Sequence, residues 1–274
     1  MIDRILFPVD FSPSCASMAL FVQRAATLFR SSVTLLHVCD LMSHNGFELY
    51  VRSLEEIAET HLCVAQNDLE SFLASEFPQA TCRRILRSGD AAQEIMDVAR
   101  AEDIDLIVMP THAGQFRRLV LGSTTAKVLA QVHCPVLTTK HAETIVPGPL
   151  EHRVWVCAVS LTCDSERILY FASRAAATAG AKLSVIHVVD AHDPIETVEK
   201  SARRRMEKLF QKVGWEGEFK IAVGSRKQAL LEAARACDHD LIVIGRTLGS
   251  GLVDQIQSLS YQLIRDSPCP VVSV

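Results

Sequence analysis

The chain has 274 residues, enough for one or two domains at roughly 100–200 residues each. Apolar residues make up 49% and charged residues 22%, an ordinary globular balance, and a net charge of −4 argues against a nucleic-acid-binding surface. The opening MIDRILFPVD has no apolar h-region and no apolar run reaches the length of a membrane span, so neither a secretory signal nor a transmembrane helix is expected.

The elements follow in chain order. Ile5–Val9 is a short apolar run suited to a buried strand, and Pro8 and Val9 lead into Asp10 at its end. Asp10 reads equally as a ligand for ribose hydroxyls or a phosphate-bound metal, or as a turn and cap residue. Ser12-Pro13 opens a helix running to Phe29, with serine as cap and proline in the first turn. Val33–Val38 is the second strand. Leu54, Ile57, His61, Leu62, Leu69, Phe72 and Leu73 recur at helical spacing, which predicts a long helix over Phe47–Ser75. Cys82–Leu86 is the third strand, Asp90–Ala101 a helix, and Leu106–Met109 the fourth strand. A helix starts at Ser123, and Val136–Thr138 closes this stretch.

The series then repeats. His37-Val38-Cys39-Asp40 returns as His187-Val188-Val189-Asp190, 150 residues later, as Arg24-Ala25-Ala26 does at Arg174-Ala175-Ala176. Asp105-Leu106-Ile107-Val108 returns as Asp240-Leu241-Ile242-Val243, 135 residues later, and Cys134-Pro135-Val136 as Cys269-Pro270-Val271. The first copy therefore carries 15 more residues between its second and third strands. So long a period is a duplicated domain. The expected division is 1–140 and 153–274, joined by a linker at 141–152 that contains Pro147-Gly148-Pro149.

Strands alternating with helices predict an α/β fold of two tandem, doubly wound, parallel five-stranded sheets with helices on both faces. Ligands in such sheets sit beyond the carboxyl ends of the strands. Nine cysteines without a C-x-x-C pair fit reduced, mostly buried thiols in a cytosol, with no metal site. No catalytic constellation stands out, and neither a Walker P-loop nor a nucleophile elbow occurs.

The loop after the fourth strand, Pro110 to Thr124, is the candidate site. Gly122-Ser123-Thr124 opens a helix, so backbone N–H groups and hydroxyls there suit an anion or simply start a helix. Arg117 and Arg118 suit phosphate or a solvated surface. His112 suits a phosphate contact or an aid to hydrolysis, against an ordinary loop histidine. His37 and His187 lie within strand patterns and read as core or ladder histidines rather than as bases.

Ile5 to Ser12, Leu35 to Val38, Asp105 to His112, Leu121 to Leu129 and Cys134 to Val136 together resemble the universal stress protein family, in the family's order. The second half matches less closely over its full length. The resemblance implies a Rossmann-like fold with strand order 3-2-1-4-5 and, in the family's ATP-binding members, a Gly-x2-Gly-x9-Gly-Ser/Thr loop. It implies Asp10 at the ribose and phosphates, Val38 at the adenine, Met109 at the mouth of the base pocket, and Gly122, Ser123 and Thr124 on the phosphates. Pro8, Val9, Thr111, His112, Gly114 and Arg117 complete the expected set for ATP or AMP, with magnesium if ATP. The chain departs from that pattern: Pro110 and Ala113 stand at the first two glycines, the spacing to Gly122 is one residue short, and Gly114 takes over by a register shift. Ser160 stands opposite Asp10 in the second half, so a degenerate site is expected there. The resemblance also implies that Val136–Thr138 and Val271–Val274 pair, making the chain its own pseudo-dimer, with a homodimer as a further option. The leading expectation is a cytoplasmic, nucleotide-responsive stress protein; the alternatives are a nucleotide-free interaction scaffold and a very slow ATPase.

Overall fold

The computed structural model describes residues 2–39, 54–111, 121–140, 142, 153–189, 195–235, 240–246 and 258–274, with side chains from 59 and 198 onward in the two long helices. By compactness the chain divides into two bodies, Ile2–Arg118 with Gly122–Cys134, and Pro135–Val274 with Leu121 attached.

In the first body, β1 (Arg4–Val9) is parallel to β2 (Ser32–Cys39), with Ile5 opposite Val33 and Val9 opposite His37. It is also parallel to β4 (Leu106–Pro110), with Ile5 opposite Leu106. β2 pairs with β3 (Cys82–Ser88) through Cys39 and Ser88, which carries β3 two residues past the apolar run. Ile5, Leu6, Phe7, Leu35, Leu36, Leu106 and Ile107 are almost fully buried, as strands covered on both faces must be. α1 (Pro13–Phe29) begins where Ser12 Oγ accepts from Cys15 N at 3.1 Å, and stops at Arg30, whose backbone is left-handed at φ 58°. Gly180 (φ 64°) does the same for α5 (Ser165–Ala179), 150 residues on. α3 (Ala91–Ala101) is capped by Asp90, which accepts from Gln93 N at 3.0 Å; Glu94 in its first turn and Arg100 in its last complement the helix dipole. α4 spans Ser123–Gln131.

The long predicted helix is described as α2 over Leu54–Ser71, and its expected start at 47–53 lies outside the described residues. It stops short of Ser75 because Leu73 turns left-handed, at φ 51°. Arg84 of β3 meets the chain there, donating to the carbonyls of Leu69, Phe72 (2.9 Å) and Phe77 (2.8 Å).

The second body holds β6 (Val154–Ala158), β7 (Lys182–Val189), β8 (Phe219–Val223) and β9 (Leu241–Ile244), all parallel, with helices α6 (Ile195–Val213), α7 (Arg226–Arg235) and α8 (Leu259–Asp266) besides α5. With β5 at Val136–Thr139 and β10 at Val271–Ser273, the expected strand order is present as β3-β2-β1-β4-β5 and again as β8-β7-β6-β9-β10. β10 (Val271–Ser273) is parallel to β9 but antiparallel to β5 (Val136–Thr139), with Val271 opposite Thr138 and Ser273 opposite Val136. β5 therefore counts with the second body. In that strand pair the hydroxyls of Thr138 and Ser273 are fully buried and find no partner among the described residues. The eight described cysteines are free, and no described helix is long and apolar enough to cross a membrane.

Candidate functional site

Asp10 is exposed at the exit of β1, and its Oδ1 accepts from Ser12 N at 3.0 Å. One carboxylate oxygen thus holds the turn into α1, an Asx-type contact. Between them Phe11 sits at φ 61°, a conformation uncommon for a bulky side chain. Two contacts hold it there: its ring stacks on His37 at 4.2 Å and meets Phe72 edge-on at 5.3 Å. His37 Nδ1–H donates to Val9 O at 2.8 Å. The half-buried histidine of β2 is therefore the brace of the Asp10 turn, a role that periodicity does not reveal. Beneath the turn, Cys15 Sγ lies 3.6 Å from Pro8 O, and burial pushes its thiol up to about 12, so it is inert as a nucleophile at neutral pH.

Pro8, Val9 and Met109 are buried strand ends, while Val38 is half-buried one residue beyond the last β1–β2 pair. Since β1 lies between β2 and β4, the exits carrying Val38, Asp10 and Thr111 are neighbours on one sheet edge. α4 is tied to that edge twice. Gly122 N donates to the buried Thr111's carbonyl at 2.8 Å, and Thr125 Oγ1 donates to Pro110 O at 3.1 Å. Gly122 is the N-cap, with an extended backbone at φ −58°, ψ 144°, so no positive φ demands glycine there. Its N–H is already engaged by Thr111, which leaves the first-turn N–H groups from Ser123 and Thr124 as the anion donors. Ser123 is exposed and Thr124 half-buried. His112, Gly114 and Arg117 lie outside the described residues. Lys127 of α4 reaches Asp90 at 2.9 Å, and that bond holds the Asp90 carboxyl below its ordinary range. Leu121 N donates to the buried hydroxyl of Tyr261 at 2.9 Å, a contact between residues 140 apart that no local pattern signals.

The second repeat keeps the frame and changes the chemistry. Leu161, at φ 57°, holds the place of Phe11, and His187 Nδ1–H donates to Val159 O at 2.8 Å as His37 does to Val9. Ser260 Oγ donates to Gly245 O at 2.8 Å, matching Thr125 and Pro110. Ser258 caps α8 through Tyr261 N at 3.2 Å. Gly245 has a packing reason: a Cβ there would lie 2.5 Å from Ile168 Cδ1 in the core. Arg246 turns to β10, its guanidinium 3.2 Å from Ser273 O.

A model of the Universal stress protein family matches residues 1–140 and again 153–274. The chain belongs to the universal stress protein family. A curated universal stress protein of Methanocaldococcus jannaschii is 28% identical over 155 residues, covering 51% of this chain and 96% of its own length. Another, from Methanothermobacter thermautotrophicus, is 39% identical over 70 residues, 25% of this chain and 48% of its own. Among solved structures, a universal stress protein of Archaeoglobus fulgidus superposes with a TM-score of 0.73 at 22% identity, covering 100% of this chain and 96% of its own. That likeness is one of fold, and it extends through both repeats.

Proposed function

We propose that this universal stress protein binds an adenine nucleotide, ATP or AMP, through its first repeat and acts as a nucleotide-responsive regulator in the cytoplasm. The reading takes 1–140 as the binding domain, 141–152 as linker and 153–274 as a domain whose nucleotide site is degenerate. The observation that carries it is the exposed Asp10 carboxylate on the same strand-exit edge as the N-terminus of α4. Ligands in doubly wound sheets lie at that edge. In this reading Asp10 accepts the ribose hydroxyls, Val38 and Met109 flank the base, and Ser123 and Thr124 meet the phosphates, with magnesium accompanying ATP. Pro8, Val9 and Thr111 shape the floor, and His112, Gly114 and Arg117 belong to the loop over it. Free thiols in all eight described cysteines accord with a reducing compartment. Such a ligand shifts populations only by its differential affinity for two states.

A second reading, a nucleotide-free scaffold, draws on the engaged Gly122 N–H, which removes one phosphate donor from the loop. Calorimetric titration of ATP and AMP into protein stripped of bound nucleotide separates the two. Binding at about one site per chain, weakened roughly tenfold or more by Asp10→Ala, is the expected result, since a lost charge-assisted hydrogen bond costs about 1.5–3 kcal/mol. No heat up to roughly 1 mM, where binding is worth only about 4 kcal/mol, would leave the scaffold.

A further inference from the structure

The exits of β6, β7 and β8 carry a different set of side chains from the exits of β1, β2 and β3. Val159 N donates to Ile186 O at 3.0 Å, and His187 donates to Val159 O, so the β6 exit is bound to β7. Gly224 N donates to Val189 O at 2.9 Å, which binds the β8 exit to the other side of β7. Three strand exits thus lie side by side on one edge. On the β6 loop, the exposed hydroxyls of Ser160 and Thr162 lie 3.2 Å apart. Arg205 of α6 crosses to the same loop and donates Nη2 to the carbonyl of Leu161. Arg226 opens α7 two residues after Gly224.

The two repeats differ in charge around matching strand exits. Where the first has the Asp10 carboxylate, the second has Ser160. Where the first packs Phe72 against the left-handed Phe11, the second brings a guanidinium to the left-handed Leu161. Ala91, which opens α3, becomes Arg226, 135 residues later. Both arginines are exposed, and among the described residues neither has a carboxylate partner. Burial pushes the half-buried His187 imidazole below its ordinary value, and the positive charges of Arg205 and Arg226 push it the same way.

We propose that the strand exits of the second repeat form an oxyanion site, for the phosphate group of a small molecule, built from Arg205, Arg226 and the hydroxyls of Ser160 and Thr162. Guanidinium forks match phosphate oxygens in pairs, and hydroxyls complete the donor set. The N-terminus of α7 adds field of the same sign. No carboxylate stands at the Asp10 position to take ribose hydroxyls, so the site reads the phosphate and not the nucleoside. The repeat that lost the nucleotide carboxylate has become selective for anions.

Inorganic pyrophosphate is the probe, titrated into the full chain carrying Asp10→Ala, with binding followed by calorimetry and by the His187 ring proton resonance. The expected result is saturable binding that moves the His187 resonance and weakens with added salt. Arg226→Gln lowers affinity about tenfold, the scale of one charge-assisted contact. It is the clean variant, because Arg226 braces nothing among the described residues; Arg205→Lys, which keeps the charge and loses the fork, gives a smaller loss. Unchanged affinity in Arg226→Gln, or a silent His187, overturns the proposal. So does pyrophosphate binding that Ser123→Ala removes and Arg226→Gln leaves unchanged, since that binding belongs to the first repeat. Failure of ATP to bind the wild-type chain bears only on the first repeat.

Discussion

Phe11 and Leu161 hold left-handed backbone at the two loops that matter most, and each is held by its surroundings. Such strain persists only where neighbours over-determine it. Here the stacked His37 and edge-on Phe72 do so in the first repeat, and the Arg205 guanidinium in the second. A different kind of cost sits at Thr138 and Ser273, fully buried hydroxyls without a partner among the described residues. A buried hydroxyl left unpaired costs about 1–3 kcal/mol, so replacing it by an apolar group of like shape is favourable. Thr138→Val is expected to raise unfolding stability by about 1 kcal/mol, with Ser273→Ala in the same direction, read as a higher urea midpoint at unchanged slope. A lower midpoint for both would mean that the hydroxyls are hydrogen-bonded.

The elements follow local chemistry closely. Ser12 and Pro13 start α1, Asp90 starts α3 and Gly180 ends α5, each by a cap visible in a few adjacent residues. The end of α2 is the exception. Helical spacing continues to Leu73, but the carbonyls of Leu69, Phe72 and Phe77 are taken by Arg84, from a strand beyond the turn. Arg84→Met keeps the apolar stem and leaves those carbonyls without their donor. It is expected to destabilise the protein by about 2–3 kcal/mol, seen as a lower thermal or urea midpoint. A change within about 0.5 kcal/mol would show that water replaces the guanidinium there.

At the scale of the molecule, β5 is decided by its partner. It comes from the first repeat yet forms an antiparallel pair with β10, whose residues repeat those of β5 135 positions later. A strand edge that loses its partner is a template for another chain. Residues 1–140 expressed alone are therefore expected to dimerise through β5, an isologous contact replacing the β5–β10 pair. Light scattering across a concentration series checks it. A fragment that stays monomeric and folded at about 100 µM, where even weak association is worth roughly 5 kcal/mol, would show that the edge is protected in another way.

The amino-acid sequence by itself determined the duplication, the alternation of strand and helix, the family and the residues at the strand exits. These are legible because buried parallel strands must be continuous apolar runs, and because caps and turns are chosen by adjacent side chains. Asp10 and the Gly122-Ser123-Thr124 helix start could be found that way. Only the tertiary structure decided that His37 and His187 brace the exit turns, that Thr111 engages the Gly122 N–H, that Tyr261 holds Leu121, and that Arg205 reaches Leu161. Each joins residues 11 to 140 positions apart. A side chain's partner at such separation is set by strand register and helix packing, which no local pattern carries.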